Sequence, residues 1–510
     1  MTTVVWFKRD LRLDDHGPLS AATALAQPVI ALYVVEPGYW QLDDTSERHW
    51  RFIAESLRQL DQQLRQRGNR LYLHYGSVPD ALADLHRRCG IQRLFCHQET
   101  GGRWTFERDI AVAGWCQSHG VTLSEWHQFG VVRRLANRDD WDHHWRQRMM
   151  ADCLPPPPSL PAPPSTLPES RWREPTCRWN TPCPERQPGG SHHGQRLLDS
   201  FLSQRCLGYQ YRISSPNTAV SSCSRLSPHL AYGTVSLRRL YQQSKQAGDA
   251  RVALPRKQRS LTRFRSRLHW HCHFIQKLED EPELEFRAVH RDLEHLKSAP
   301  DDPERLQRWQ QGMTGWPLVD ATMRALAHTG WINFRLRAMV MAVASYQLWL
   351  HWRQPALHLA RLFTDFEPGI HYPQVQMQGG LTGINALRIY DPVRQSKQLD
   401  PHGQFLRQWL PELSGLPDDL IHTPWLLSHN QQQRYGSQAY PKPICDHQLA
   451  ARQARQAIGQ FRQQRLTNDE TRRVLSRHGS RKGPKQSRPR PLIKDRQPPA
   501  VAQQLSLFDD

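Results

Sequence analysis

The first 130 residues alternate short apolar runs with longer amphipathic stretches. The apolar runs predict five strands, at residues 4–7, 29–35, 70–74, 93–96 and 121–125. Between them apolar residues recur every three or four positions, as over 48–67 and 80–88, which predicts helices. This alternation predicts an α/β domain over residues 1–130, with a five-stranded parallel sheet covered on both faces.

The pattern changes after residue 130. Residues 131–194 are predicted to form a Pro-rich interdomain linker, because eight prolines fall between Leu154 and Pro168. From 195 to 470 the apolar residues follow a helical period, which predicts one large helical domain. Its long helices are predicted at residues 235–246, 262–278, 303–310, 318–328, 333–354 and 447–464. The predicted fold class is therefore an N-terminal α/β domain followed by an all-α domain.

Charge changes the picture at the C-terminus. Residues 471–510 are predicted to form a disordered basic tail, since ten Lys or Arg and a single acid fall between Thr471 and Ala500. The whole chain of 510 residues has a formal charge of +20, which favours a polyanionic partner such as DNA. On charge alone, a basic protein without a nucleic-acid role is an equal alternative.

Composition also limits the location and the metal chemistry. No apolar segment approaches the length of a membrane span, so a cytoplasmic protein without a membrane partner is expected. The ten cysteines include no C-x-x-C pair, which is typical of reduced thiols rather than of a zinc ribbon. His269 and His273 have the four-residue spacing of helical metal ligands, but no third ligand accompanies them, and no metal is predicted.

The segment Ser224-Arg225-Leu226-Ser227 carries the clearest chemistry. Two hydroxyls flank an arginine directly before Pro228, a residue that favours the start of a helix. Hydroxyl donors, a fixed positive charge and the opening end of a helix together suit a diphosphate.

This segment resembles the phosphate-binding segment with which the photolyase/cryptochrome family holds FAD. The chain also resembles that family from Val4 to Leu19 and in six ordered blocks of the helical region: 312–320, 329–331, 335–337, 388–392, 408–412 and 440–444. The resemblance covers residues 1 to about 465 and implies a helical domain that buries a folded FAD. It also implies an α/β domain that can hold a second, antenna chromophore. Thr105 stands where the family has an acidic folate contact, which disfavours folate and leaves a deazaflavin, FMN or no antenna.

The motifs assign residues to the cofactor by position. Those expected to bind FAD are Tyr211, Cys223, Ser224, Arg225, Leu226, Ser227, Arg337, Asp365 and Glu367. Cys223 replaces the family's usual Thr, and Glu367 replaces its second Asp. Arg337 and Asp365 match an ion pair beside the isoalloxazine.

A second group is expected to take part in electron or proton transfer: Trp270, Trp309, Trp352 and His371. Trp309 and Trp352 match the distal and middle tryptophans of the family's photoreduction relay, and His371 replaces the Asn beside flavin N5. Val375 stands at the flavin-proximal tryptophan position, so the usual relay is interrupted. Trp349, Trp331 and Tyr372 are the candidate detours.

The residues expected to contact DNA are Arg267, Trp270, His271, Arg335, Met377 and Arg388. Trp270 can stack on a flipped-out pyrimidine dimer. Arg267 replaces a family Glu, His271 replaces an Arg, and Met377 replaces the second stacking Trp.

The resemblance implies a deoxyribodipyrimidine photo-lyase, which splits UV-induced pyrimidine dimers with an electron from photoexcited reduced FAD. Cyclobutane dimers are the favoured substrate, and a (6-4) photolyase is one alternative. A cryptochrome-like blue-light photoreceptor without repair is another, and a DNA-binding protein that has lost the cofactor is a third.

The chain ends in an apolar segment that resembles the peptides with which bacterial proteins dock on the replicative sliding clamp. Gln504, Leu505, Leu507 and Phe508 are the residues expected to make that contact.

Overall fold

A computed structural model of the chain describes residues 2–170, 172–250, 254–297 and 300–479. Five parallel strands form one sheet in the order β3-β2-β1-β4-β5. The strands are β1 Thr2–Phe7, β2 Val29–Val35, β3 Leu71–Tyr75, β4 Ile91–His97 and β5 Thr122–Trp126. The predicted five-stranded parallel sheet is confirmed, with strand ends shifted by one or two residues.

Each face of the sheet has its own apolar core. Val5 and Phe7 of β1 point to one face, where the helix after β2 packs, and Val4 and Trp6 point to the other. The helices of this half are α1 Gly17–Ala24, α2 Glu47–Arg65, α3 Val78–Cys89 and α4 Arg103–Ser118. Because both faces of the sheet centre are covered, β1 and β2 are buried on both sides, and β2 reads as a continuous apolar run, whereas the edge strands β3 and β5 are partly exposed.

The segment predicted as a linker is packed. Helix α5, Trp141–Met150, was not predicted, and its Trp141 and Trp145 are buried in a core shared with the helical half. The described residues between 151 and 190 form no helix or strand. They are nevertheless attached to the sheet domain, because the Asn69 side-chain amide donates to the Pro161 carbonyl at 2.6 Å.

The second half is helical, as predicted. Its helices are α6 Ser191–Ser203, α7 Tyr209–Arg212, α8 Pro216–Ser222, α9 Ser227–Ala231, α10 Leu237–Asp249, α11 Pro255–Asp280, α12 Pro303–Gln311, α13 Pro317–Thr329, α14 Phe334–Tyr346, α15 Arg353–Leu362, α16 Pro368–Gln378, α17 Pro392–Leu399, α18 Gln404–Trp409, α19 His429–Tyr435, α20 His447–Arg465 and α21 Asn468–His478. Short 3-10 turns lie at Tyr39–Gln41, Arg205–Gly208, Pro282–Glu285, Arg291–Leu293, Pro411–Leu413 and Pro424–Leu426. The largest core is built around α13 and α14.

The single helix predicted over residues 333–354 is wrong. Helix α14 ends at Tyr346 and α15 begins at Arg353. Between them Trp349 has a φ of 56°, in the left-handed region where a right-handed helix cannot continue. The apolar pattern runs through both helices, so periodicity alone conceals the break.

The tail predicted as disordered from Thr471 begins as a helix. Asn468–His478 forms α21, with the Thr467 hydroxyl accepting from the Glu470 backbone N–H. Within its described part this segment is attached to the helical domain, because Glu281 contacts both Arg473 and His478. Residues 480–510, with the proposed clamp-binding segment, lie outside the described residues, so that part of the prediction stays a prediction.

The described helices were also compared with the length and apolar character that a bilayer span requires. None of those within residues 2–479 meets both requirements.

Candidate functional site

Arg225 is the centre of the predicted diphosphate segment. Its backbone has a φ of 61°, a left-handed conformation that costs a non-glycine residue about 1–2 kcal/mol. The side chain is held on two sides: Nε donates to the Gln187 amide oxygen at 3.0 Å, and the guanidinium lies 3.9 Å from the Trp331 ring centroid. Strained residues that their surroundings hold in place are concentrated at binding sites.

The surroundings of Arg225 are rich in positive charge. The pKa of Arg225 is lowered to about 10, chiefly by burial and also by the nearby Arg337 and Arg205, whereas Asp365 opposes the shift. Arg205 donates to the carbonyls of Cys223 and Ser224 and so fixes the segment from behind. Three cations beside one carboxylate suit a ligand with two negative charges.

Arg337 and Asp365 form the predicted ion pair. The guanidinium of Arg337 donates to Asp365 Oδ2 at 2.7 Å and lies 4.0 Å from the Phe363 ring centroid. The other carboxylate oxygen, Oδ1, is buried and has no hydrogen-bond partner within the described part of the chain. An unpartnered buried oxygen next to surplus cations fits the FAD that the sequence resemblance implies, since the ring system carries N–H groups that could donate to it.

The remaining predicted FAD residues differ in exposure. Leu226 is fully buried, whereas Cys223, Ser224 and Ser227 are half-buried beside it. Tyr211 on α7 is 67% exposed, so its ring lies at the surface of this site rather than inside it.

Glu367 is paired across the two domains. Arg9, two residues beyond β1, contacts its carboxylate at 3.0 Å and donates to the carbonyls of Phe366 and Ala231. Burial raises the pKa of Glu367, although Arg9 opposes the shift. The segment that follows β1 therefore contacts Glu367 and the end of α9, the helix that begins at Ser227. Ligands of open α/β sheets bind at such strand ends.

His371 lies in a ring cluster next to this pair. Burial lowers the pKa of His371 to about 4, so the imidazole is neutral at physiological pH. Its Nε2 lies 2.9 Å from the Ala356 carbonyl, which can only accept. Nε2 therefore carries the proton, and Nδ1 is left as an acceptor.

The predicted relay tryptophans are core residues. Trp309 on α12 is fully buried, and its indole N–H donates to the Val340 carbonyl at 3.1 Å. Trp352 lies at the start of α15 and is also buried, as is Val375 on α16. The alternative Trp349 is partly buried beneath Lys297, whose Nζ is 5.0 Å from its ring.

Three of the predicted DNA-contacting residues lie on helices that pack against α16 or on α16 itself. Helix α16, with Met377, packs against α11 and α14, which carry Trp270 and Arg335. All three side chains are half-buried, as are those of Arg267 and Arg388. Trp270 is packed edge-on against His273, with ring centroids 4.9 Å apart.

His271, also predicted to face DNA, lies in a dry environment. Burial lowers the pKa of His271 to about 3, so it carries no charge at neutral pH, unlike the Arg it replaces. The two histidines with metal-capable spacing take separate partners. His269 contacts Asp142 at 2.9 Å, and Arg138 donates to His273 Nδ1 at 3.0 Å.

A small cavity lies in the α/β domain, and Thr105 lines it together with Arg9, Glu36, Glu99 and Arg108. Its volume is about 50 Å³. Cavities that bind organic cofactors are several times larger, about 300 Å³ or more. Arg108 fills the space by pairing with Glu36 and Glu99. At this volume the cavity does not accommodate an antenna chromophore.

Asp10, His16 and His97 form a buried cluster with metal-like spacing. Asp10 Oδ2 lies 3.0 Å from His16 Nε2 and 2.7 Å from His97 Nδ1. His16 Nδ1 accepts from the Leu19 backbone N–H, so its Nε2 must donate to the carboxylate. Asp10, three residues after β1, therefore joins His16 and His97 through two buried hydrogen bonds.

Some residues of the site were not predicted. Gln187 lies in the proline-rich segment and carries no motif, so no signal in a single sequence identifies it. Arg9 falls within the matched N-terminal block, but its role depends on contacts with residues more than 200 positions away.

Two family profiles match the chain. The profile "DNA photolyase" matches residues 3–134, and "FAD binding domain of DNA photolyase" matches residues 264–460. Together they cover most of both halves of the fold and the part of the site with Arg337, Asp365 and Glu367, whereas Arg225 and its segment lie between the two matched ranges.

Individual relatives match over nearly their full length. The chain is 28% identical to a deoxyribodipyrimidine photo-lyase of Streptomyces griseus, covering 89% of this chain and 97% of the relative. It is 27% identical to a cryptochrome DASH of Gloeobacter violaceus, covering 87% and 93%. The crystal structure of a class III photolyase from Agrobacterium tumefaciens superimposes with a TM-score of 0.79 at 26% identity, covering 91% of this chain and 98% of that one.

Proposed function

We propose that this chain, which belongs to the photolyase/cryptochrome family, is a light-driven DNA repair enzyme that splits UV-induced pyrimidine dimers. Cyclobutane dimers are the favoured substrate. Its helical half is the FAD-binding domain of that family.

The observation that carries the proposal is the charge of the Arg225 site. Arg205, Arg225 and Arg337 lie close enough together to influence one another, and Asp365 is the acid that acts on Arg225 with them. The strained backbone of Arg225, together with the contacts that hold its guanidinium among two further arginines, supports an anion-binding role for this segment. The third alternative from the sequence, a DNA-binding protein without the cofactor, is therefore disfavoured.

When bound, reduced FAD supplies an electron to the lesion after absorbing blue or near-UV light and regains it once the dimer is split. The protein binds the cofactor, orients it and shields it from solvent. Arg225 and Ser224 hold the diphosphate, the Arg337–Asp365 pair borders the ring system, and Glu367 is kept in position by Arg9. His371 offers Nδ1 as a proton acceptor and holds its own proton at Nε2.

Electrostatic attraction and base stacking account for DNA binding in this proposal. The formal charge of +20 attracts the duplex through its phosphates, with Arg335 and Arg388 as contacts beside the site. Trp270 provides a flat surface for a flipped-out dimer. Met377 contributes an apolar contact in place of a second ring.

The test is light-dependent loss of dimers from a damaged oligonucleotide. Purified full-length protein should show flavin absorption bands and, after chemical reduction, should restore a duplex containing one cyclobutane dimer under blue light but not in the dark. A parallel duplex with a (6-4) photoproduct decides lesion type. A flavin-containing protein that repairs neither duplex would refute the proposal.

The second candidate is a photoreceptor without repair. The interrupted tryptophan relay at Val375 and the loss of the second stacking ring at Met377 favour it. Light-induced flavin spectral changes without turnover on either lesion would support this candidate.

A further inference from the structure

Tyr372 is a fully buried tyrosine with an acid at its hydroxyl group. Its hydroxyl donates to Asp44 Oδ2 at 2.6 Å, and Asp44 is itself buried, just ahead of α2 in the other domain. A phenol that loses an electron becomes a strong acid, so it needs an acceptor for its proton. A carboxylate within hydrogen-bond distance is such an acceptor.

The neighbours of Tyr372 connect it in two directions. On one side, its ring centroid is 5.3 Å from that of His371, which belongs to the cluster beside Asp365. On the other side, the Arg353 guanidinium lies 5.2 Å from the Tyr372 ring and 5.8 Å from the Trp352 ring. Tyr372 therefore lies between the cofactor site and the predicted middle relay tryptophan.

Tyr372 also shares a helix with the interrupted relay position. Val375, which stands where the family has its flavin-proximal tryptophan, is three residues further along α16. Side chains three apart lie on the same side of a helix, so the tyrosine and the valine face the same region. Both are buried in the largest core.

We propose that Tyr372, with Asp44 as its base, is the electron donor that replaces the missing tryptophan in the light-driven reduction of the cofactor. The inference rests on the proposed FAD site. Tyr372 gives one electron to the photoexcited oxidised isoalloxazine, which gains that electron, and its phenolic proton moves to the Asp44 carboxylate. A neutral tyrosyl radical remains. An external thiolate then returns one electron through Trp352 and becomes a thiyl radical, two of which combine to a disulfide, and Asp44 gives the proton back to the phenolate oxygen.

The protonation states agree with this order of events. Burial raises the pKa of Tyr372 well above its ordinary value, and the Asp44 carboxylate raises it further, so the phenol keeps its proton until an electron leaves. Proton transfer is therefore a consequence of oxidation and does not precede it.

A second buried tyrosine provides a matched control. Tyr440 donates to Asp320 at the same 2.6 Å. The Asp320 carboxylate, however, also accepts from the backbone N–H groups of Thr314 and Gly315 and therefore closes a turn. Tyr440→Phe removes the same kind of hydrogen bond without touching the ring cluster of α16.

The test uses full-length protein with bound oxidised FAD, illuminated with blue light in the presence of a thiol. Tyr372→Phe should slow flavin reduction, per bound flavin, by at least about tenfold, because a phenyl ring lacks the O–H and is far harder to oxidise. Asp44→Asn should slow it as well, since an amide accepts the hydrogen bond but not the proton. Tyr440→Phe should reduce its flavin at the rate of the unmodified protein.

A direct readout does not depend on the variants. The unmodified protein, grown with ring-deuterated tyrosine, should show a transient tyrosyl radical by electron paramagnetic resonance, with the narrowed lines of the label. Absence of that signal, or photoreduction of Tyr372→Phe at the unmodified rate, would overturn the inference. Repair by chemically reduced unmodified protein tests the proposed function separately, because it does not require photoreduction.

Discussion

Replacing Arg225 with glycine separates the structural and ligand-binding roles of the strained arginine. Glycine adopts positive φ without steric cost, so the variant removes the strain together with the side chain. Arg134 provides a matched control, because it is an exposed arginine with a φ of 55°. Arg134→Gly changes the same residue type in the same backbone region, away from the site.

The expected effect on stability follows from the contacts of Arg225. The variant loses the stacking on Trp331, worth about 2 kcal/mol when desolvated, and the charged hydrogen bond to Gln187, worth about 1.5 kcal/mol. It recovers about 1 kcal/mol of backbone strain. The free energy of unfolding of the apoprotein should therefore fall by about 2.5 kcal/mol in Arg225→Gly. In Arg134→Gly it should change by less than about 1 kcal/mol.

Cofactor affinity should fall as well. Loss of one charge-assisted contact to a diphosphate costs about 1.5–3 kcal/mol, which corresponds to an increase in Kd of about tenfold or more. Urea unfolding of apoprotein and titration of FAD by fluorescence quenching measure the two effects. If Arg225→Gly lost stability as expected but bound FAD with unchanged Kd, Arg225 would be a purely structural residue and the diphosphate assignment would be refuted.

Three further predictions concern the lesion site, α21 and the C-terminus. Trp270→Ala should weaken binding to dimer-containing DNA by about tenfold with little change on undamaged DNA, whereas Trp172→Ala, in the linker, should alter neither in gel-shift titrations. Because burial lowers the pKa of His478 to about 4, unfolding takes up a proton between that pH and about 6.5, so stability falls as pH falls through this window. In His478→Gln this loss of stability at low pH should be smaller by at most about 3 kcal/mol, which urea unfolding at several pH values measures. An unchanged pH profile of stability would contradict this prediction. Deleting residues 504–508 should abolish recovery of the chain on immobilised sliding clamp, and unchanged recovery would exclude the docking hypothesis.

The fold could be predicted well because its signals are local. The spacing of apolar residues along 1–130 and 195–470 identified the α/β half and the helical half, because each strand or helix buries one or both of its faces. The break near Trp349 and the helix at Asn468–His478 could not be predicted in this way. The first depends on one backbone angle, and the second on an acid, Glu281, almost 200 positions earlier in the chain.

The site was predictable only where a motif names its residues. Arg337 and Asp365 were expected as a pair and lie 2.7 Å apart. Contacts that join the two halves carry no local signal. The Arg9–Glu367 and Tyr372–Asp44 pairs link residues more than 300 positions apart, and composition gives no reason to connect them.

The contacts of Arg48 limit how the two domains can be exchanged between related genes. This guanidinium starts on α2 of the sheet domain and is almost completely buried, yet it donates to the Leu362 and Ala327 carbonyls of the helical domain. If one half were exchanged for that of a distant relative whose backbone did not present these carbonyls, Arg48 would stay buried and lose acceptors, at about 1–3 kcal/mol for each unsatisfied group. Recombination between distant relatives is therefore expected to preserve both sides of this contact.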